Sequence, residues 1–325
     1  RKAICEKLRR DNDMTYTYGD ILVSNGAKHS LFNIFQAILD PGDEVLIPTP
    51  CWVSYPELVR MAGGVPVFIP ATEETNFIPT NKDIASRVTR RTKAIVITSP
   101  SNPNGSVWEQ EQLQFVADLA VSHPFFVVSD EIYEKLIYDG RKHLSIAQLG
   151  EQIKSQTFLV NGVSKAYAMT GWRIGYVAGP RNVISAMSSF QSQATSNPNS
   201  IAQYAAMKAL QGDQSCVDAM VAQFEKRRDA MVEKINAIPG LSCRKPQGAF
   251  YIMMNIKQML GKHYDGRMIE SSLDFAELLL AEKQVALVPG VAFEAEGYCR
   301  LSYAVSMENI LEGLSRIGEF VAELS

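Results

Sequence analysis

The sequence predicts an α/β protein with a mostly parallel sheet flanked by helices, followed by a smaller C-terminal α+β domain. Short apolar runs of strand length alternate with helical segments through the first two thirds of the chain, which is the pattern of parallel strands joined by crossover helices. After Gly212 the pattern changes to one long amphipathic helix and then to shorter, mixed elements. A chain of 325 residues is long enough for two such domains.

The first elements lead into a glycine turn. Residues 1 to 13 have the pattern of an amphipathic helix that opens without a cap or an initiator methionine, so we expect a further segment upstream. A short strand at 21–23 and a turn at Asn25-Gly26 come next, followed by a helix from Ala27 to Leu39. Pro41-Gly42 ends that helix.

The alternation then continues to the long helix. Strands are predicted near 44–48, 65–69, 93–98, 125–129, 157–160 and 174–178, and helices near 54–62, 108–122 and 182–195. The long helix has apolar residues near a 3.6-residue period from Val217 to Ile235, and Pro239-Gly240 ends it.

We place the domain boundary near residue 230, within the long helix. This gives a large domain over 1–230 and a small domain over 231–325. In the small domain we expect strands near 248–254, 285–288 and 299–303 and helices near 271–283 and 306–324.

Composition disfavours several classes of partner. A formal net charge of −3 with interspersed signs argues against nucleic acid and anionic membranes, so small molecules are the better expectation. The five cysteines are scattered and form no C-x-x-C, and the four histidines have no ligand spacing, so we expect reduced thiols and no metal. No apolar stretch is long enough to span a membrane and no secretory leader pattern opens the chain, which predicts a cytoplasmic protein.

The stretch from Ser164 to Tyr176, SKAYAMTGWRIGY, is the first candidate for chemistry. Lys165 follows an apolar strand and precedes a Thr-Gly turn, a setting that favours burial. Burial lowers the pKa of a lysine and keeps its lone pair available, as a Schiff-base lysine requires. Alone, such a lysine is more often an ordinary surface residue.

Two further motifs follow predicted strands. Asp130 comes directly after the apolar run 125–129, at the strand end where open α/β sheets bind ligands. Asn102-Pro-Asn-Gly105 comes after the strand at 93–98. Asp130 could simply cap a turn, and a turn asparagine usually bonds only its own backbone. Together with the lysine stretch, however, the two motifs are a far more specific signal than the lysine alone.

These motifs, in this order, resemble the class I pyridoxal 5′-phosphate (PLP) aminotransferases of fold type I, and most of all their bacterial aspartate and aspartate/prephenate branch. The resemblance covers nearly the whole chain. It implies a seven-stranded-type sheet, PLP as cofactor, amino acid and 2-oxo acid substrates, and a homodimer with shared active sites. Family members also carry an N-terminal segment that supplies a tyrosine to the partner subunit's phosphate site.

The resemblance implies a role for each residue around the cofactor ring. Lys165 matches the lysine that holds PLP and moves a proton as general base and acid. Asp130, in SDEIY, matches the carboxylate that pairs with the pyridine nitrogen. Tyr133 and Asn102 match the groups that bond the ring's 3′ oxygen, and Trp52 matches the aromatic residue that stacks on the ring.

For the cofactor phosphate, the resemblance implies four residues. Gly26 and Ala27 lie at a predicted helix start, whose free N–H groups favour anions, and Arg173 offers a planar fork that fits phosphate. Ser164 lies beside the lysine. Gly162 stands where many relatives have serine, so Ser164 or the backbone would replace that hydroxyl.

For the substrate, the resemblance implies Arg300 as a bidentate clamp on the α-carboxylate, with Asn102 and Trp52 beside it. Lys28 is the candidate for reading a distal carboxylate. A lysine in the first turn of a helix opposes the helix dipole unless an anion lies nearby, and that anion could be the distal carboxylate, which we prefer, or the PLP phosphate. The sequence suggests no role for His29, the next residue.

We therefore expect ping-pong transfer of an amino group from aspartate or glutamate to a 2-oxo acid. A PLP-dependent C–S lyase and an aromatic or monocarboxylic transaminase are the alternatives with the same fold, and Lys28 argues mildly against both. A PLP-sensing regulator is an alternative from another class, for which the chain offers no helix-turn-helix pattern or basic stripe. The physiological amino donor and acceptor, including prephenate, are not determined by the sequence.

Overall fold

A large seven-stranded sheet forms the centre of the molecule. The computed structural model describes all residues from Arg1 to Ser325. The strands of the large sheet are β1 Ile21–Ser24, β2 Glu44–Thr49, β3 Val65–Pro70, β4 Thr92–Thr98, β5 Phe126–Asp130, β6 Thr157–Gly162 and β7 Gly175–Ala178. Their order is β1-β7-β6-β5-β4-β2-β3, and the pairs from β6 to β3 are parallel, while β7 is antiparallel to both of its neighbours. The predicted mostly parallel sheet is confirmed.

Helices cover both faces of this sheet. They are α1 Lys2–Asn12, α2 Ala27–Ile38, α3 Ser54–Met61, α4 Asn81–Arg87, α5 Gln110–Ser122, α6 Glu151–Lys154, α7 Arg181–Ala194 and α8 Ser200–Gln211. Residues of α2, α3 and α7 share one apolar cluster with the sheet, and residues of α4, α5 and α6 share another. Because both faces are covered, the central strands are almost continuously apolar instead of alternating.

The C-terminal part forms a smaller antiparallel sheet with its own helices. Its elements are α9 Ser215–Asn236, β8 Ser242–Cys243, β9 Tyr251–Asn255, β10 His263–Tyr264, β11 Arg267–Met268, α10 Ser272–Lys283, β12 Val288–Pro289, β13 Tyr298–Ser302 and α11 Met307–Ala322. The main sheet has the order β12-β13-β9-β8, and β10 and β11 form a separate hairpin. The boundary near residue 230 remains a prediction, since α9 runs unbroken through it.

Several elements differ from the sequence prediction. The strand predicted at 248–254 begins only at Tyr251, because the N–H of Gly248 is used in a bond to the carbonyl of Gly105 in the other part of the molecule. The prediction of a strand at 285–288 is wrong, except that Val288 is the first residue of β12. Helices α4 and α8 were missed, although each has a side-chain cap, from Thr80 and Asn199.

The sheet places its polar strand ends together. Thr98 at the end of β4 is the register partner of Asp130 at the end of β5, and Asp130 is in turn the partner of Val160 in β6. Three loops therefore leave the sheet side by side at one edge. These loops carry the three motifs that the sequence singled out.

Candidate active site

A cavity of about 330 Å³ lies at this edge of the sheet and also contacts strands β9 and β13 of the smaller sheet. Ten of the eleven predicted site residues line it, namely Ala27, Lys28, Trp52, Asn102, Asp130, Tyr133, Ser164, Lys165, Arg173 and Arg300. The eleventh, Gly26, is next to Ala27 and packs against Arg173. The fold therefore brings together residues that are up to 274 positions apart in the chain (26 to 300).

Asp130 is a buried carboxylate with few partners. The Tyr55 hydroxyl donates to Oδ2 at 2.7 Å, and the Ile132 N–H donates to Oδ1 at 3.2 Å. Burial raises the pKa of Asp130 to about 6, although these two hydrogen bonds oppose the rise. A cationic group placed against Asp130 would relieve this cost, so the position is suited to a protonated ring nitrogen.

Tyr55 is a residue of the candidate site that sequence reasoning missed. It is buried, lines the cavity, and its hydroxyl lies 2.8 Å from Thr98 Oγ1 as well as bonding Asp130. Tyr55 comes three residues after Trp52, near the start of α3, so both side chains emerge from the same turn. That spacing was the only available signal, since the contact with Asp130 spans 75 positions.

Lys165 lies between aromatic rings. Its Nζ is 5.7 Å from the centre of the Tyr133 ring and 5.5 Å from the centre of the Phe250 ring. Burial lowers the pKa of Lys165, with smaller contributions in the same direction from Arg173 and Arg300, while Asp130 opposes the shift. The amine is thus closer to its neutral, nucleophilic form than a surface lysine would be.

An arginine and a helix start form a corner at one end of the cavity. Gly26 has φ +88° and precedes α2, and a Cβ there would collide with the guanidinium of Arg173. The guanidinium donates from Nη1 to the Thr170 carbonyl at 2.8 Å, and Arg173 itself has the unusual φ of +52°. A guanidinium held beside the free N–H groups of a helix start is suited to bind a phosphate.

The absence of a serine at position 162 has a physical reason in this backbone. A Cβ at Gly162 would lie 2.7 Å from the carbonyl oxygen of Ile174 and 2.9 Å from the Cα of Gly175. No side chain fits there unless β6 and β7 move apart. Ser164, by contrast, is buried against the cavity, so its hydroxyl is the one available at this point.

The opposite end of the cavity is formed by Arg300 and Asn102. Nη1 of Arg300 donates to Oδ1 of Asn102 at 2.9 Å, and Nε of Arg300 is buried without a partner. Burial lowers the pKa of Arg300, although a guanidinium stays charged. The own-backbone bond expected of a turn asparagine is made by Asn104 instead, whose Oδ1 accepts the N–H of Ser106.

Lys28 and Trp52 stand together at the mouth of the cavity. Nζ of Lys28 lies 4.8 Å from the centre of the Trp52 ring, and the lysine is exposed. His29 has a structural role, because its Nδ1 accepts the N–H of Asn25 at 3.1 Å and so closes the first turn of α2. Burial lowers the pKa of His29, in keeping with a ring nitrogen that accepts.

A second group of titratable side chains lies behind the site and was not predicted. Glu131, Glu134 and His143 are buried within reach of one another. Lys7 pairs with Glu134, and the hydroxyl of Ser145 donates to Glu131 at 2.6 Å. The carboxylates therefore already have partners within the chain, and this group ties α1 to the loop after β5.

Known proteins resemble this chain along almost its whole length. The profile of the family described as "Aminotransferase class I and II" matches residues 1–317. An aspartate aminotransferase of Bacillus sp. (strain YM-2) is 47% identical over 99% of this chain and 81% of its own length. A probable aspartate/prephenate aminotransferase of Aquifex aeolicus is 46% identical over 100% and 81%. The crystal structure of an aspartate aminotransferase from Rhizobium meliloti superposes with a TM-score of 0.97 at 44% identity, covering 100% of this chain and 82% of that one.

The chain belongs to the class I and II aminotransferase family. It is accordingly an enzyme, an aminotransferase with the type I fold, as the sequence motifs predicted. None of its helices has the length and apolar character needed to cross a membrane.

Proposed function

We propose that the cavity binds PLP and transfers an amino group between a dicarboxylic amino acid and a 2-oxo acid. The observation that carries the proposal is the meeting of three groups in one cavity, the Lys165 amine, the Asp130 carboxylate and the Arg173 guanidinium beside a helix start. Their chemistry fits the aldehyde, the ring nitrogen and the phosphate of that cofactor. The buried Asp130, with a pKa raised to about 6, supports the fit because its two hydrogen-bond donors, Tyr55 and the Ile132 N–H, are neutral.

Each residue then has a separable task. When bound, PLP serves as an electron sink for the electron pair left at the substrate Cα. Nζ of Lys165 would remove the proton from the substrate Cα as general base and deliver it, as general acid, to the carbon that carried the cofactor's aldehyde. Asp130 would hold the proton on the ring nitrogen, and the Tyr55 hydroxyl fixes the orientation of the Asp130 carboxylate. Because the first oxo acid leaves as a product before the second oxo acid binds, the kinetics are ping-pong.

The substrate's α-carboxylate would bind Arg300. The hydrogen bond to Asn102 orients the guanidinium group of Arg300. The buried Nε of this group has no hydrogen-bond partner within the chain. A carboxylate would satisfy it with a charge-assisted, two-point contact. This contact serves every amino acid and carries no preference for side chain.

Lys28 would select a second carboxylate. It is an exposed cation in the first turn of α2, opposing the helix dipole, and it borders the same cavity as Arg300. The names of the Bacillus and Aquifex relatives refer to aspartate and prephenate, and both compounds carry two carboxylates. We infer aspartate or glutamate as donor, with prephenate as a candidate acceptor.

We also propose that the active form is a homodimer. An open groove of about 840 Å³ adjoins the cavity and shares Lys28 and Arg173 with it. Exposed apolar side chains such as Val53, Met61 and Val291 border the groove. A second copy covering this face would enclose the site, and light scattering of the purified protein at assay concentration tests this directly.

The experiment that tests the function is a substrate panel with steady-state kinetics. Aspartate, alanine and phenylalanine are each paired with 2-oxoglutarate, glutamate is paired with oxaloacetate, and all four donors are paired with prephenate. Parallel double-reciprocal lines and a preference for dicarboxylic donors are expected. Converging lines, or equal kcat/KM for alanine and aspartate, would contradict the proposal.

A further inference from the structure

Tyr251 contacts two of the predicted site residues, Tyr133 and Arg300. It is the first residue of β9, its side chain is 7% exposed, and it lines the cavity although no sequence motif pointed to it. Its hydroxyl oxygen lies 2.9 Å from that of Tyr133. Its ring lies under the guanidinium of Arg300, whose carbon is 4.4 Å from the ring centre.

The ring contact restrains the direction of Arg300. A second ring, that of Phe293, has its centre 4.8 Å from the same guanidinium carbon. Two aromatic rings and the Asn102 bond together leave the planar fork little freedom, and an aromatic face stabilises a desolvated cation. A fork that is already oriented loses less entropy when a carboxylate binds.

The hydroxyl contact restrains the direction of Tyr133. Burial raises the pKa of both phenols, so each keeps its proton and one of the two must donate to the other. When Tyr251 donates, the proton of Tyr133 is free to point elsewhere in the cavity. Hydrogen bonds in such a chain also strengthen one another, which makes Tyr133 a better donor.

We propose that Tyr251 is a positioning residue with two separable actions. Its ring aligns Arg300 for the substrate's α-carboxylate, and its hydroxyl directs Tyr133 toward the cofactor's 3′ oxygen. The proposal rests on the proposed function, since the roles of Arg300 and Tyr133 belong to it.

The two actions are separated by two substitutions in the PLP-loaded enzyme. Tyr251→Phe removes the hydroxyl and keeps the ring, so the 3′ oxygen loses part of its hydrogen bonding and becomes more basic. The pH at which the bound cofactor's long-wavelength absorbance titrates should rise by about half to one unit, the size of one net hydrogen bond. KM should change less in this variant than in Tyr251→Leu.

Tyr251→Leu also removes the ring. KM for aspartate and alanine alike should rise roughly 3- to 30-fold, the range of a buried cation–π contact. Phe293→Leu removes the other ring, whereas the rings that pack on Tyr133 are those of Phe250 and Tyr251, so this variant should raise KM and leave the absorbance titration in place. This third variant also answers the case in which Tyr251→Leu folds poorly.

Tyr298→Phe is the matched control. Tyr298 is buried on the neighbouring strand β13, its hydroxyl bonds Lys257 and Glu73, and it does not line the cavity. Loss of its hydroxyl should alter neither readout.

The outcomes distinguish this proposal from the function on which it rests. An unchanged absorbance titration in Tyr251→Phe would overturn the hydroxyl's action, and unchanged KM values in both Tyr251→Leu and Phe293→Leu would overturn the ring's. Arg300→Ala and Tyr133→Phe are run alongside. If those two variants also leave KM and the titration unchanged, the assigned roles of Arg300 and Tyr133 fail instead.

Discussion

The two sides of the cavity differ in how far the chain itself completes them. On the strand-end side, Asp130, Tyr133 and Asn102 are buried and bonded to other residues of the same chain. On the outer side, Lys28 and Arg173 are exposed cations that border an open groove. The first side is preorganised by the fold, whereas the second presents positive charge that ligand anions would complete.

This difference separates two kinds of function. Buried groups with fixed hydrogen bonds suit the chemical step, because they need no reorganisation when charge develops. Exposed cations suit the recognition of anions, where they act on affinity and choice of substrate. Substitutions on the strand-end side should therefore lower kcat, and substitutions on the outer side should act on cofactor retention or KM.

The largest effect is expected for Lys165→Ala. Loss of the general base and acid should lower transamination by at least about 10²–10⁴-fold. The exposed Lys142→Ala serves as control and should behave as the unmodified enzyme. Turnover is measured in a coupled oxo-acid assay. Near-normal turnover by Lys165→Ala would refute the assignment of Lys165 as general base and acid.

Asp130→Ala should give the next largest effect. A nearby carboxylate shifts the pKa of a cationic partner by roughly 1–3 units, so the bound ring nitrogen should lose its proton more readily. Half-reaction rates followed by stopped-flow absorbance should collapse while cofactor still binds. Tyr55→Phe, which keeps the carboxylate and removes one bond to it, should be impaired less. Normal half-reactions in Asp130→Ala would refute the assignment.

The cost of burying Asp130 should be visible in cofactor-free protein. Its folded-state pKa is raised from 3.8 to about 6, so folding favours the protonated form, and that stabilisation is present below about pH 4 and lost as pH rises through 6. At pH 8 Asp130→Asn should be more stable to urea by about 3 kcal/mol, from about 2 pKa units. The advantage should vanish near pH 4, and the same difference at both pH values would contradict this origin.

Arg300→Ala and Lys28→Met compare the clamp with the outer cation. A hydrogen bond to a charged group contributes roughly 1.5–3 kcal/mol, or about one to two powers of ten in kcat/KM. Arg300→Ala should lower kcat/KM for aspartate and alanine alike, whereas Lys28→Met should lower it for aspartate and glutamate only. An equal loss for alanine in Lys28→Met, together with weaker PLP retention, would assign Lys28 to the phosphate.

The sequence predicted those site residues that belong to a recognisable local motif. Lys165, Asp130 and Asn102 each follow a strand, and parallel strands deliver their ends to one edge, so their meeting could be expected. Tyr55 and Tyr251 could not be found this way, because they were singled out only by their contacts in the folded chain. Tyr55 bonds Asp130, 75 positions away, and Tyr251 bonds Tyr133, 118 positions away. Gly162 looked like a departure from related proteins until the close approach of Ile174 gave it a steric reason.

The most direct test of the central claim is to trap the cofactor on the protein. PLP-loaded enzyme is reduced with borohydride, digested, and the modified lysine located by mass spectrometry. The account predicts that the reduced adduct lies on Lys165, the half-buried amine between Tyr133 and Phe250, and that Lys165→Ala carries none. An adduct confined to Lys28 or to another exposed lysine, with Lys165 unmodified, would contradict it.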